Sequence, residues 1–380
     1  MTYAKRNALS KKSILFLIPT LGGGGAERVL TNLVNNLDKN KYDITVQCIF
    51  KAGVNSKFLG KHIHFIQGRV KQFSGNVALM KLFSPHRLYK LFIHKRYDIV
   101  VSYLEGSTAR IVSGCPYPDS KLISWVHVEQ HTRKVASHCF RSYNEACKCL
   151  LRYDYTICVA ESVKDDFVKL FPNVTNCLVL YNTNEDEKIR DLAKEAIDGT
   201  MSSEFNVISV GRLTEAKGYD RLIKVHRRLL NEGFKHHIYI LGTGDESEIN
   251  DLIIKEEVTK TFHLLGFQSN PYKFVARADL FVCSSRREGF STAVTEALIL
   301  GVPVVTTNCS GSFELCGANE YGIVVSNDEE GIYEGMKTML SDPKILSHYK
   351  KQAEIRGQLF SKDATTQSVE NLFDKMFIQD

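Results

Sequence analysis

Two glutamates eight positions apart, in the nonapeptide EGFSTAVTE of residues 288–296, carry the first chemistry this sequence offers. Carboxylates such as Glu288 and Glu296 accept hydrogen bonds from vicinal hydroxyls, as a ribose or a hexose presents them. Ser291 is placed to cap a helix that carries Val294, Ala297 and Leu298 inward. The first turn of such a helix leaves amide N–H groups and partial positive charge for a phosphate or sugar oxygen, and Gly289 lets backbone approach a ligand closely. A capped surface helix with two solvated acids has the same local pattern, so residues elsewhere must decide. In the octapeptide GRLTEAKG of residues 211–218, Arg212 and Lys217 lie five positions apart on a glycine-bounded loop after the apolar run 205–210. A planar guanidinium and a point-charge ammonium so placed suit a pyrophosphate.

Three further loops follow apolar runs. Residues 21–28, LGGGGAER, turn from a strand into a helix, so that amides near Gly24 and Gly25 can meet an anion or a sugar. The third glycine of a GxGxxG fingerprint is replaced by Glu27, which argues against a dinucleotide. At Gly266 and Phe267, main-chain atoms are positioned for a nucleobase. His127 ends the run 122–126 with Glu129 two residues on, suited to an acceptor hydroxyl, to a donor sugar, or only to capping its own loop.

These loops need a scaffold that brings strand ends together. Strand-like runs at 14–19, 42–50, 62–66, 97–104, 121–127 and 155–160, another ending at 179–181, and six more from 205 to 325 alternate with helical patterns. The expected fold is α/β, two doubly wound, Rossmann-like domains. The expected division is 1–183, a linker at 184–203, a second domain at 204–360, and a closing helix at 361–380 packing back across the interdomain cleft. The chain of 380 residues is too long for one ordinary core.

Charge is uneven: residues 1–183 carry +14 and residues 184–380 carry −8. The basic half suits a polyanionic ligand or surface. The stretches 79–96 and 132–152 mix basic and apolar residues in helical patterns; they suit an anionic membrane, or a core-packing helix with a solvated basic face. No apolar run reaches the length of a membrane span, and the run 14–18 is too short for a signal core, which makes residues 1–13 a short basic tail. Ten cysteines without a CxxC pair or zinc spacing read as free, mostly buried thiols of a reducing cytoplasm.

With GGGGAER, GRLTEAKG and EGFSTAVTE in this order, nearly the whole chain resembles family-four glycosyltransferases of the GT-B fold. The resemblance implies a donor nucleotide-sugar, a UDP-sugar first among them, bound mainly to the second domain. It implies a glycan or lipid-linked glycan acceptor bound to the first. Arg212 and Lys217 would hold the diphosphate, Glu296 the ribose, and Glu288 the transferred hexose or N-acetylhexosamine. The amides of Gly289, Phe290 and Ser291 would lie near sugar and phosphate, Gly24 and Gly25 would face the donor, and His127 would match the family's active-site histidine. The family retains anomeric configuration and uses no metal or cofactor, in keeping with the absence of an Asp-x-Asp motif here. The implied setting is the cytoplasm, peripheral on the cytoplasmic face of the inner membrane, in polysaccharide or lipopolysaccharide synthesis, with no nucleic-acid partner. Two alternatives remain at this stage: a sugar-nucleotide epimerase of the same fold, and a non-catalytic nucleic-acid-binding protein using the basic half.

Overall fold

A computed structural model describes residues 11–22, 24–51, 53–197, 199 and 201–378. Gly23 of the glycine turn, Asp198 and Thr200 of the linker, residues 1–10 of the basic tail and residues 379–380 of the closing segment lie outside the described residues. The chain divides into two compact units, Met1–Thr183 with Thr365–Asp380, and Asn184–Ala364.

The first unit is built on β1 (Lys12–Ile18), β2 (Tyr42–Cys48), β3 (His64–Ile66), β4 (Ile99–Tyr103), β5 (Lys121–Val126), β6 (Tyr155–Cys158) and β7 (Cys177–Val179). They lie in the order β3-β2-β1-β4-β5-β6-β7, every neighbouring pair parallel. Ile14 to Ile18 are fully buried, as a strand covered by helices on both faces must be. The second unit repeats the plan with β8 (Phe205–Val210), β9 (His236–Leu241), β10 (Phe262–Leu264), β11 (Leu280–Cys283), β12 (Val304–Thr307) and β13 (Ile323–Val325), in the order β10-β9-β8-β11-β12-β13, again all parallel. Each sheet thus reverses its winding once, between β1 and β4 and between β8 and β11. Loops leave those two strands toward opposite sides, and the gap between them is where such sheets take ligands.

Several strands stop short of the apolar runs that announce them. The run 42–50 ends as a strand at Cys48, and the run 97–104 ends at Tyr103, where Leu104 adopts φ +89°. Ile49 and Phe50 stay buried beyond Cys48 and still donate to the Ile18 and Pro19 carbonyls at 2.9 Å, so burial and bonding to the β1 end both outlast the strand. The stretch 79–96 is divided by Pro85 into the helices Asn76–Lys81 and Pro85–Phe92, with Ser84 capping the second by accepting from the Arg87 amide. In it Leu88 and Tyr89 face the core, while Leu79, Leu82 and Leu91 are exposed.

The last helix, Lys362–Ile378, begins with its Lys362 amide bonded to Asp186 of the second unit at 2.8 Å. From Thr365 onward it belongs to the first. There Phe373 is buried against the rings of Phe16 and Tyr42, and Glu370 accepts from the Asp38 amide at 2.7 Å.

The second unit also buries two histidines. His226, on the helix Tyr219–Asn231, shares a proton with His236 at the start of β9 across 2.8 Å and meets Thr261 at 2.8 Å, while His236 meets the Phe234 carbonyl at 2.8 Å. Burial, aided by His236, His237 and His263, pushes His226 down to about 2; burial brings His236 down to about 4, aided by His237 and opposed by the Phe234 carbonyl. Both imidazoles are therefore neutral in the fold, whereas in the unfolded chain they titrate near 6.5. Their stabilisation is whole above pH 6.5 and is lost as pH falls toward 4. Thermal and urea unfolding should show about 2 kcal/mol lost per buried histidine by pH 5, a window above that of the paired carboxylates. A His226→Phe, His236→Phe double variant should flatten this slope; an unchanged slope would place the titration elsewhere.

Candidate functional site

In the second unit, the residues singled out by type and spacing lie at one end of the sheet. Arg212 and Lys217 leave the carboxyl end of β8, Gly266 and Phe267 that of β10, and Glu288 to Ser291 that of β11. The β8 and β11 loops flank the reversal of winding. Ser291 caps the helix Thr292–Ile299 by accepting from the Val294 amide at 3.5 Å, which places Glu296 in its second turn.

Backbone contacts fix these loops before any side chain acts. The Gly211 amide donates to Leu241, the Leu213 amide to Thr243, and the Gly242 amide to Gly266, each at 2.9 Å. At Gly242, with φ +156°, a Cβ would lie 1.9 Å from the Gly211 carbonyl oxygen, so only glycine admits this approach. On the other side, the Arg286 amide donates to the Ala216 carbonyl at 2.7 Å, and the Ser284 hydroxyl to the Lys217 carbonyl at 2.9 Å. The Arg286 guanidinium grips both oxygens of Asp220 at 2.7 and 2.6 Å and holds that carboxyl below its usual range.

The consequence is an ion pair. Lys217 Nζ lies 2.9 Å from each oxygen of Glu288, with the side chains 22% and 17% exposed. The expected phosphate cation and the expected sugar acid are therefore partners, 71 residues apart in sequence. Glu296 accepts from the Tyr272 hydroxyl at 3.0 Å, a contact that sequence spacing does not announce. Arg212 is exposed, and among the described residues no acid or carbonyl engages its guanidinium. Phe267 is 74% exposed and Gly266, at φ +64°, faces open space, which leaves an aromatic face for a flat ring. Phe290 is buried beside Phe360 with ring centroids 5.9 Å apart, so its backbone rather than its ring is available.

The first unit gathers a second group at the carboxyl ends of β1, β4 and β5. The helix Gly25–Asn36 starts from Gly24, and the Glu27 side chain folds back over the turn: a Cβ on Gly24 would lie 2.2 Å from its carboxylate. Among the described residues that carboxylate has no hydrogen-bond or ion-pair partner. The turn thus presents an acid, which favours a hydroxyl over a phosphate. His127 is buried, with Nε2 unpartnered and its ring centroid 4.7 Å from that of Tyr103, whose buried hydroxyl is also unpartnered. Burial pushes His127 down to about 3, so it is a neutral hydrogen-bonding group at physiological pH. Its amide donates to Glu105 at 3.0 Å; burial raises that carboxyl, against the pull of this bond. Buried polar atoms without partners are uncommon, and these two, side by side at strand ends, have bonding capacity that a hydroxyl could fill. Glu27 and Tyr103 were not among the residues expected from sequence; the replaced third glycine was the available signal for the first. Among the described residues no cluster of histidine, cysteine or acid has a metal-binding arrangement.

Comparison with known proteins divides along the same line. Residues 23–183 match the family described as Glycosyltransferase Family 4, and residues 193–356 match Glycosyl transferases group 1. An N-acetylgalactosamine-N,N'-diacetylbacillosaminyl-diphospho-undecaprenol 4-alpha-N-acetylgalactosaminyltransferase of Campylobacter jejuni is 28% identical over 366 residues, covering 91% of this chain and 94% of its own. A UDP-Gal:alpha-D-GlcNAc-diphosphoundecaprenol alpha-1,3-galactosyltransferase of Escherichia coli is 24% identical over 352 residues, covering 87% and 88%. Among solved structures, Anabaena HepE in complex with UDP superposes with a TM-score of 0.77 at 18% identity, over 96% of this chain and 100% of its own.

The Lys217–Glu288 pair can be weighed directly. Lys217→Met or Glu288→Gln leaves the partner charge half-buried and unmatched, at a cost of about 1–3 kcal/mol. The double variant should be less destabilised than the sum of the singles. Urea unfolding of the four proteins measures the coupling, and additive losses would mean that the pair does not interact.

Proposed function

The chain belongs to the glycosyltransferases of the GT-B fold, and on that premise we propose that it moves a hexose or N-acetylhexosamine from a UDP-sugar to a lipid-linked glycan, with retention at the anomeric carbon. The observation that carries this reading is the Lys217–Glu288 pair across the reversal of the second sheet, with Arg212 exposed on the same loop as Lys217. A diphosphate meeting Arg212 and Lys217 would find a fork and a point charge. A sugar beside Glu288 would find a carboxylate already oriented by an ammonium. Glu296, held by Tyr272, is suited to ribose hydroxyls, and Phe267 to the base.

The chemistry follows from charge. Cleaving the glycosyl–phosphate bond builds negative charge on the departing diphosphate and positive charge on the sugar. Arg212 and Lys217 stabilise the first and Glu288 the second, so that the protein's own cations do the work a metal ion does elsewhere. In the second unit both named acids are engaged, Glu288 by Lys217 and Glu296 by Tyr272, which disfavours either as a general base. Attack from the face of the leaving group lets a phosphate oxygen take the acceptor's proton. His127, neutral, and Glu27 supply hydrogen bonds suited to acceptor hydroxyls. The relatives named for undecaprenol-linked substrates support the acceptor class.

Contact with an anionic membrane surface is part of the same proposal. Between Asp43 and Asp98 there is no acid, and residues 44–97 hold ten Lys and Arg. Along it Val54, Phe58, Val70, Leu79, Leu82 and Leu91 are each at least half exposed. Cations together with apolar side chains suit headgroups and the acyl boundary beneath them. Among the described residues no helix is long and apolar enough to cross a membrane.

The deciding assay offers UDP-sugars and a polyprenyl-diphosphate-linked glycan, with the product anomer read by NMR and EDTA present throughout. Arg212→Ala should lower kcat by about 10²–10³-fold, about 2.7–4 kcal/mol. Tyr272→Phe, which removes the hydroxyl's hydrogen bond to Glu296, should raise the donor KM several-fold with kcat little changed. Donor consumed to a free epimer without acceptor, or an inverted product, would overturn the reading. Sedimentation with phosphatidylglycerol vesicles tests the membrane part: Leu82→Asp with Phe83→Asp should cut binding at least fivefold, and a wild-type protein that ignores anionic vesicles at low salt would end it.

A further inference from the structure

Within the first unit, the helix Tyr143–Leu150 and the segment after the helix Glu161–Leu170 enclose a cavity of about 340 Å³ that none of the transfer chemistry uses. Its walls are mostly apolar, Tyr143 and Phe171, stacked with centroids 5.5 Å apart at 17°, with Leu151 and Val174, while two amide side chains, Asn144 and Asn173, also line it. One cation stands over it: the Arg133 guanidinium lies 4.8 Å from the Tyr143 ring centroid and has no carboxylate partner among the described residues. Water in such a space finds few hydrogen-bond partners. An occupant must be apolar along its length and anionic at the end nearest Arg133.

The surroundings narrow it further. Residues 133–152 contain one acid, Glu145, and it is already committed: Arg110 bonds it at 3.0 and 3.1 Å. Arg110 also donates to the carbonyls of Met80 and Phe83, and Arg141 donates to those of Lys81 and Leu82. Four successive carbonyls are thus fixed by two guanidiniums, and the helix that carries Glu145 on one side lines the cavity on another. The slot is thereby tied to the turn that holds Leu82 and Phe83 outward.

We infer that this slot receives the first carbons of the hydrocarbon chain of a phosphorylated lipid, its phosphate against Arg133. The inference rests on the reading of a lipid-linked acceptor, but its test reads binding alone, so that transfer activity without slot binding would refute the slot and spare the enzyme. Cys147 lines the space and is partly exposed, which makes it a reporter. Labelling by N-ethylmaleimide, located by peptide mass spectrometry, is followed with farnesyl diphosphate, lysophosphatidylglycerol, farnesol and inorganic pyrophosphate, with Cys139 as the internal control. Farnesyl diphosphate should slow labelling of Cys147 at least fivefold and leave Cys139 unchanged. Equal protection by lysophosphatidylglycerol would support the slot and assign its occupant to the bilayer; none would assign it to the prenyl acceptor. Arg133→Ala and the surface change Leu151→Asp should each raise the protecting concentration about tenfold. No protection by farnesyl diphosphate at millimolar concentration, or equal protection by pyrophosphate or by farnesol, overturns the inference, and these wild-type results decide it even where a variant fails to fold.

Discussion

An ammonium held between two carboxylate oxygens, at the place where a parallel sheet reverses its winding, is the interaction the second unit is arranged around. Lys217 and Glu288 belong to loops leaving adjacent strands, β8 and β11, and nothing local brings them together. At a separation of 4 Å, two unit charges attract by about 4 kcal/mol in a partly polar environment, most of which desolvation cancels. The pair is therefore a poor device for stability alone. Its setting explains its presence: Gly218, at φ +66°, admits the Ser284 carbonyl where a Cβ would lie 2.2 Å away, and Arg221 donates to that same carbonyl at 2.6 Å. With the loops locked by backbone and buried arginine, the two charges meet without a further loss of freedom when a ligand arrives.

The first unit solves a different problem with neutral groups. Its strand-end cluster combines an imidazole that stays uncharged, a phenol that burial keeps protonated, and the Glu27 carboxylate over the glycine turn. These are donors and acceptors of single hydrogen bonds, suited to hydroxyls and ill suited to a diphosphate. Leu104, in the left-handed region without being glycine, turns the chain between Tyr103 and Glu105 and holds both at the end of β4. A backbone conformation of that cost persists only where the surrounding structure enforces it.

Much of the scaffold was legible in the sequence because it rests on local rules. Apolar runs located the strands of both sheets, and the Ser291 cap and the inward face of Val294, Ala297 and Leu298 followed from spacing of three and four. Strand ends were less legible, since Ile49 and Phe50 remain buried and bonded to Ile18 and Pro19 after the strand itself ends at Cys48. The candidate residues were legible by type and loop, but their wiring was not. Arg212, Lys217, Glu288 and Glu296 could be picked out by type and by the loops that carry them. That Lys217 would sit on Glu288, that Tyr272 would hold Glu296, and that Glu27 would cover its own glycine turn depend on strand order and on side-chain direction, which no local pattern encodes. The histidine pair His226–His236 was invisible for the same reason, a helix residue meeting a strand residue ten positions on.

The uneven charge of the two halves acts at a longer range than the site does. At physiological ionic strength, charges farther apart than about 8 Å are largely screened, so the net −8 of residues 184–380 does not keep a diphosphate from Arg212 and Lys217. In the proposed reading, local cations decide binding there, and global charge bears only on the approach. The acid-free stretch between Asp43 and Asp98 differs, because a flat anionic surface meets many cations at once and each adds to the attraction. Arg110 and Arg141, by contrast, are spent inward, on Glu145 and on four carbonyls. They contribute shape, fixing the carbonyls of a turn whose Leu82 and Phe83 face outward. Basic side chains in this half therefore divide between attraction and construction, and a count of charges alone cannot separate the two.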